Sequence, residues 1–405
     1  MQEDPATPLQ NEGVPSGTGT ELGSSEIGTL LSPEVAPARA PSAPPSTAPL
    51  PSAARARAPS AHAEFLARRH FASLDGLRAL GILAVVWHHT VGGPGRFGAN
   101  LFFLLSGFLV TTILVRERAR TGTLAVARFR VRRARRLYPL YFAVLAGYVG
   151  LVALLEPAGS TRSAFFANLP AFASFSSNWF VDLQGERTIF YFAWSLAAQE
   201  QFYLVWPLYL KHLGLRAAAA ALVSALATVY LTRAGAFDLA LPAASFARTL
   251  VLSVMPALLL GALVALALNA RRGFELLRRA LGARWTAWGL LAFALLLWRT
   301  PSAPEPLMHA VLAALTAAVA LREDHALARL LCLPALVHVG TVSYGIYLLH
   351  MLCHNAAAGG LARLGLAFPL LDFVLTTALA LCAATLSHRW FEQRFLPAEK
   401  RQKPA

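Results

Sequence analysis

Charge is scarce in this chain. Asp, Glu, Lys and Arg make up only 14% of its 405 residues, where a soluble domain carries about a quarter. That scarcity excludes an ordinary water-facing surface. Cysteine is nearly absent as well. Cys332, Cys353 and Cys382 lie in or beside apolar segments without paired spacing, so neither a disulfide framework nor a metal site is expected. Acids are the scarcer charges, 21 against 36 Lys and Arg. A pI near 10.6 commonly signals nucleic acid. Beside 56% hydrophobic residues and a mean hydropathy of +0.51, it reads instead as a polytopic membrane protein whose basic loops set topology, with no nucleic-acid partner.

Residues 1–64 are a separate segment. They hold eleven Pro with Ala, Ser, Thr and Gly between them, and too little apolar surface to offset the entropy of ordering, so a disordered tail is expected. No basic stretch leads into an apolar one there, so it does not read as a signal peptide. Residues 65–397 form the membrane domain, and 398–405 a short basic tail. Hydropathy places ten helices at about 74–92, 98–115, 138–156, 191–211, 216–232, 247–269, 285–298, 307–321, 336–357 and 368–387. The fold class is therefore all-α, a bundle of about ten transmembrane helices. Every second loop is basic, most strongly between Arg116 and Arg136, where nine Arg meet one acid. That alternation puts both termini in the cytoplasm. The 157–190 loop is rich in Phe and Trp and is expected to lie in the outer interface or to re-enter.

Ionisable groups inside apolar helices are costly and usually face a cavity. Arg78 and His89 stand eleven residues apart, three helical turns, so they share a stripe about 16 Å long, with His88 turned about 80° away. RFRVRRARRLYP brings Arg132 and Arg133 to the side of Arg136 at i,i+4 and i,i+3. The guanidinium fork matches phosphate, so this cluster suits a phosphorylated donor such as an acyl-coenzyme A; setting topology or meeting anionic lipid is the alternative. In AWSLAAQEQFYLVWPLYL, Glu200 and Tyr203 share a face, and Glu200 needs a partner, most obviously an Arg or His from another helix. Ser343, Tyr347 and His350 fall on one stripe, while His388, Arg389, Glu392 and Arg394 sit at the end of the last helix.

Taken in order, these segments resemble the acyltransferase-3 family of integral-membrane acyltransferases over about residues 70–396. The carriers are Leu74–His89 (LDGLRAxAxxxVxxxH-like), Gly98–Val110 with Ser106, and Arg132, Arg133, Arg136 and Pro139. They continue with Trp194–Pro207, with Trp194, Glu200 and Tyr203, then Ser343–His350, and close on Glu392. Two positions depart: Asn100 and Gln199 stand where the family usually has acids. A neutral amide can hydrogen-bond but cannot offset an arginine's charge.

The resemblance implies an inner-membrane O-acyltransferase that moves an acyl group, typically acetyl, from acyl-CoA to a hydroxyl of a carbohydrate or glycolipid. Acyl-CoA is then a substrate, and no permanently bound cofactor is expected. Membrane lipids and envelope-glycan biosynthesis proteins are the other expected partners. His89 would be the base, since imidazole titrates near neutrality. Arg78, catalytic with His89, and Arg133 and Arg136 would hold and orient the donor's phosphates, or a carboxylate that orients the histidine, with Arg132 in the same donor site. Ser106, Trp194, Glu200, Tyr203, Ser343, Tyr347, His350 and Glu392 would support the site. A glycan or lipid exporter is the rival from another class; no internal repeat of the kind transporters carry is evident. A catalytically silent protein of the same fold is the other.

Overall fold

The structure is a computed structural model that describes residues 60–183 and 187–396, apart from the side chain of Arg96. Most of the Pro-rich tail and the whole basic tail lie outside the described residues. Among the described residues, the first helix starts before position 64. Ser60 Oγ accepts the Ala63 N–H and starts a helix whose Phe65 is buried.

Every apolar segment is helical, and no strand occurs among the described residues. Helix α1 (Ala61–Ala67) leads into α2 (Ala72–Thr90) and α3 (Arg96–Thr121). The long α4 (Val126–Leu155) is followed by the connecting helices α5 (Ser160–Ala173) and α6 (Ser177–Phe180). Next come α7 (Ala193–His212), α8 (Leu215–Arg233), α9 (Phe246–Leu252) and α10 (Pro256–Asn269). They are followed by α11 (Arg271–Leu281), α12 (Thr286–Arg299) and α13 (Glu305–Leu321). The chain closes with α14 (Ala328–Leu331), α15 (Pro334–Thr341), α16 (Ser343–Arg363) and α17 (Pro369–Trp390).

By length and composition, α3, α4, α8 and α17 each suffice to cross a membrane. The bent pairs α1/α2, α9/α10, α11/α12 and α15/α16 raise the number to eight if each crosses as one. The count of about ten is therefore approximate: α13 has 17 residues, and α7 carries Gln199, Glu200 and Gln201 at its middle. The chain is a multi-pass membrane protein. In the most apolar window of α3, 67% of residues are buried, against 33% in α4 and 22% in α8 and α17. So α3 is central, while the others turn Leu154, Val223 and Val374 outward. What lets α10 lie so close to α3 is glycine: a Cβ on Gly107 would strike the Leu258 carbonyl, and one on Gly261 the Leu104 carbonyl.

Several basic-loop arginines hold backbone. Arg116 donates to the Phe65 carbonyl at 2.8 Å and to Asn269 Oδ1 at 3.2 Å, tying α1 to the end of α10. Arg118 donates to the carbonyl oxygens of Leu210 and Leu213, which close α7. The arginine run itself is the first part of α4, a helix of 30 residues, about 45 Å long. Its turns before Pro139 reach beyond a hydrocarbon core of about 30 Å. The aromatic 157–190 segment folds back on the bundle. Phe165 and Phe172 are buried with Tyr141, Tyr148 and Phe192, and Tyr141 donates to the Phe172 carbonyl at 2.8 Å.

Candidate active site

A cavity of about 1840 Å³ runs through the bundle, well above the roughly 300–1,000 Å³ of a typical small-molecule site. Residues lining it extend along α3 from Gly95, at its start, to Thr121. That is about 39 Å of helix, so the cavity reaches both ends of the bundle. Its two ends differ in charge. Nine arginines (68, 69, 78, 116, 120, 128, 132, 133 and 136) line one end with only Asp75 and Glu117 against them. This basic end is where α2 begins and α3 stops.

Arg78 and His89 both line the cavity. Arg78 faces Asp75 Oδ1 at 3.5 Å, one turn earlier, and Asp75 also takes a bond from His70 at 2.8 Å. His89 Nδ1 lies 2.9 Å from the Tyr191 hydroxyl, and its ring centroid is 5.1 Å from His350 and 4.9 Å from His88. His88 reaches the cavity as well. Its Nδ1, however, is taken up by the Gly93 carbonyl, in a turn where Gly92 and Gly93 hold φ near +93° and +92°, a region glycine enters without strain. Tyr191 is set by its neighbour: Phe190 adopts φ +64°, an uncommon conformation for a non-glycine residue that the packed aromatic cluster must enforce. The fully buried Phe190 sits between Tyr148 and Phe192.

The three arginines of α4 all line the cavity but differ in setting. Arg132 pairs loosely with Glu117 at 3.4 Å. Arg133 lays its guanidinium over the Tyr203 ring, 3.8 Å from the centroid, a cation–π contact. Arg136 keeps its surface toward the cavity, within electrostatic reach of Arg78, Arg133, Asp75 and Glu392. Like charges gathered this closely favour an anion between them.

Helix α7 divides its polar residues between two sides. Gln199 lines the cavity and bonds Ser106 Oγ. Trp194 lines it too, tilted 6.0 Å from Phe103. Glu200 does not. It is buried and accepts from the Tyr138 hydroxyl at 3.3 Å, so its hydrogen-bond partner is neither the Arg nor the His expected, although Arg133 lies within electrostatic reach. Tyr203 is buried beneath Arg133 rather than on the lining. The stripe on α16 is also split. Tyr347 reaches the cavity, bonded to the Phe192 carbonyl at 2.9 Å and Ser195 Oγ at 2.6 Å. Ser343 and His350 are buried just behind it. His350 Nδ1 donates to the Tyr347 carbonyl, leaving Nε2 enclosed without a protein partner. Glu392 lies behind the site and accepts from Ser387 at 3.2 Å. Sequence reasoning missed Tyr191 and Asp75. Tyr191 falls three and four residues before Trp194 and Ser195, a helical spacing that would have put it on the same face.

A basic end, a passage lined by helices and a cluster of imidazoles of which His350 is buried define a membrane-embedded site that joins a cationic end to a candidate base. The chain belongs to the acyltransferase-3 family: the family's acyltransferase domain matches residues 71–389. It is 32% identical to the peptidoglycan O-acetyltransferase OatA of Listeria monocytogenes over 160 residues, 35% of this chain and 24% of that protein. A putative peptidoglycan O-acetyltransferase, YrhL of Bacillus subtilis, is 33% identical over 35% of this chain and 24% of its own length. The O-acetyltransferase OatA of Staphylococcus aureus is 30% identical over 36% of this chain and 25% of its own. The matched stretch thus spans about a quarter of these relatives. No solved structure matches the chain.

Proposed function

We propose that this protein is an inner-membrane O-acyltransferase that moves an acetyl group from acetyl-CoA to a carbohydrate hydroxyl, with its basic end in the cytoplasm. The relatives' activity suggests an envelope glycan such as peptidoglycan as the acceptor class. The observation that carries the reading is a single cavity joining the guanidinium cluster to His89. Arg132, Arg133 and Arg136 bind the donor's phosphates, each through the planar guanidinium fork that matches phosphate. Arg78, within electrostatic reach of Arg136, stands about three turns of α2 from His89, a span that the donor's extended pantetheine arm bridges to bring the thioester to the imidazole.

There His89 acts as base. With its Nδ1–H donated to the Tyr191 oxygen, Nε2 accepts the acceptor's hydroxyl proton as the new C–O bond forms and the C–S bond breaks. The thiolate takes that proton when it leaves. Arg78, steadied by Asp75, orients the donor between the cluster and the base.

Replacing Arg133 and Arg136 by Lys tests the reading, since summed positive charge governs insertion while phosphate gripping needs the fork. The double variant should insert normally and require roughly ten-fold more acetyl-CoA for half-maximal transfer, from partial loss of charge-assisted bonds of about 1.5–3 kcal/mol each. Arg135→Lys, exposed beside them but off the cavity lining, should leave the acetyl-CoA dependence unchanged. A double variant that saturates like the wild type would confine the cluster to orientation.

A further inference from the structure

The cavity's other end holds a different chemistry. Apart from His88 and His89, the ionisable side chains in its far lining that can carry full charge are Arg233 and Glu305. Arg233 is the last residue of α8 and Glu305 the first of α13. They pair at 2.5 Å, each about a third exposed (28% and 34%). Helix α10 packs against both of their helices, and Met255, just before its start, shares the cavity lining with the pair. One turn below, the fully buried His309 stands 3.6 Å from Glu305 Oε1 and bonds the Tyr230 hydroxyl at 2.7 Å. Glu305 is thus steadied from beneath. Each charge also sits at the helix end whose dipole favours it, the cation at a C-terminus and the carboxylate at an N-terminus. The helix ends favour each charge whether or not the pair is closed.

We infer that Arg233 and Glu305 form the acceptor subsite and part to take adjacent hydroxyls of an uncharged polyol portion of the ligand. This rests on the proposed acyl transfer. A diol satisfies both groups at once, its oxygens accepting from Arg233 and its hydroxyls donating to Glu305. An anionic ligand would meet Glu305, and a cationic one Arg233. The contrast with nine arginines at the basic end assigns the polyanion to that end and the neutral, hydroxyl-rich substrate to this one.

The test uses membranes containing the full chain, labelled acetyl-CoA, and envelope glycan isolated from the source cells and stripped of O-acetyl groups with mild base. Transfer is measured against glycan at saturating acetyl-CoA, then against acetyl-CoA at saturating glycan. Glu305→Gln and Arg233→Gln should each need at least ten-fold more glycan for half-maximal transfer, with the acetyl-CoA dependence unmoved. Arg233→Lys keeps an ion pair but loses the fork, so it should shift the glycan dependence in the same direction. That result separates ligand binding from a strut, which the lysine would restore. Unmoved glycan dependence, a shift in acetyl-CoA dependence instead, or full recovery with lysine would each overturn the subsite. No transfer by the wild type would overturn the acyltransferase reading beneath it.

Discussion

At the residue scale, the sequence places groups on a helix face but cannot say what stands opposite. Arg78 and His89 read as one stripe, and both line the cavity. The partner of His89, Tyr191, is 102 positions away, and no spacing rule spans that. Gln199 and Glu200 show a second limit. Adjacent residues point about 100° apart on a helix, and only the packing of α7 on α4 turns the amide to the cavity and the carboxylate to Tyr138. A third limit is Arg118, a topological charge by sequence that in fact closes α7. The assignment of the base makes its prediction here. His89→Ala should lower acyl transfer by about 10²- to 10⁴-fold, the usual contribution of a positioned base, with protein level preserved. His88→Ala removes a ring tied to the Gly93 carbonyl and should retain most activity. The reverse ranking, measured as label transferred per unit of membrane protein, would move the base to His88.

At the element scale, all ten apolar runs are helices, because about 20 apolar residues with few charges leave the backbone little alternative in a bilayer. Their bends were less legible. Pro256 marks the α9/α10 break, but the 76° bend between α15 and α16 falls at Val342 without a proline or glycine at the junction. It comes from packing: a Cβ on Gly340 would strike the Asp75 carbonyl, so α15 is pressed against α2 there. The glycine-mediated approach of α3 and α10 gives the element-scale prediction. Gly107→Ala forces a methyl against the Leu258 carbonyl and should cost about 1–3 kcal/mol as overpacking, seen as a lower thermal midpoint of the purified protein in detergent. Gly147→Ala, in α4 with nothing within 4 Å of the added carbon, should leave the midpoint the same or raise it, since alanine is the better helix former. Equal behaviour of the two variants would show that the two helices do not depend on that contact.

At the scale of the whole molecule, the asymmetry of charge joins topology to chemistry. The arginines that orient a membrane protein also crowd one end of its cavity, so the proposed side of insertion and the proposed side of the acyl donor stand or fall together. The charge asymmetry was readable as a count of loop arginines. The cavity was not, since it arises where α2, α3, α4 and α7 fail to close on one another around groups too polar to pack dry. Labelled acetyl-CoA added to sealed, right-side-out membrane vesicles bearing the protein and its envelope glycan tests the central claim most directly. Label should reach the glycan only after the vesicles are permeabilised, and not at all with His89→Ala. Labelling of sealed vesicles would contradict the orientation and the donor side, and equal labelling with His89→Ala would contradict the site.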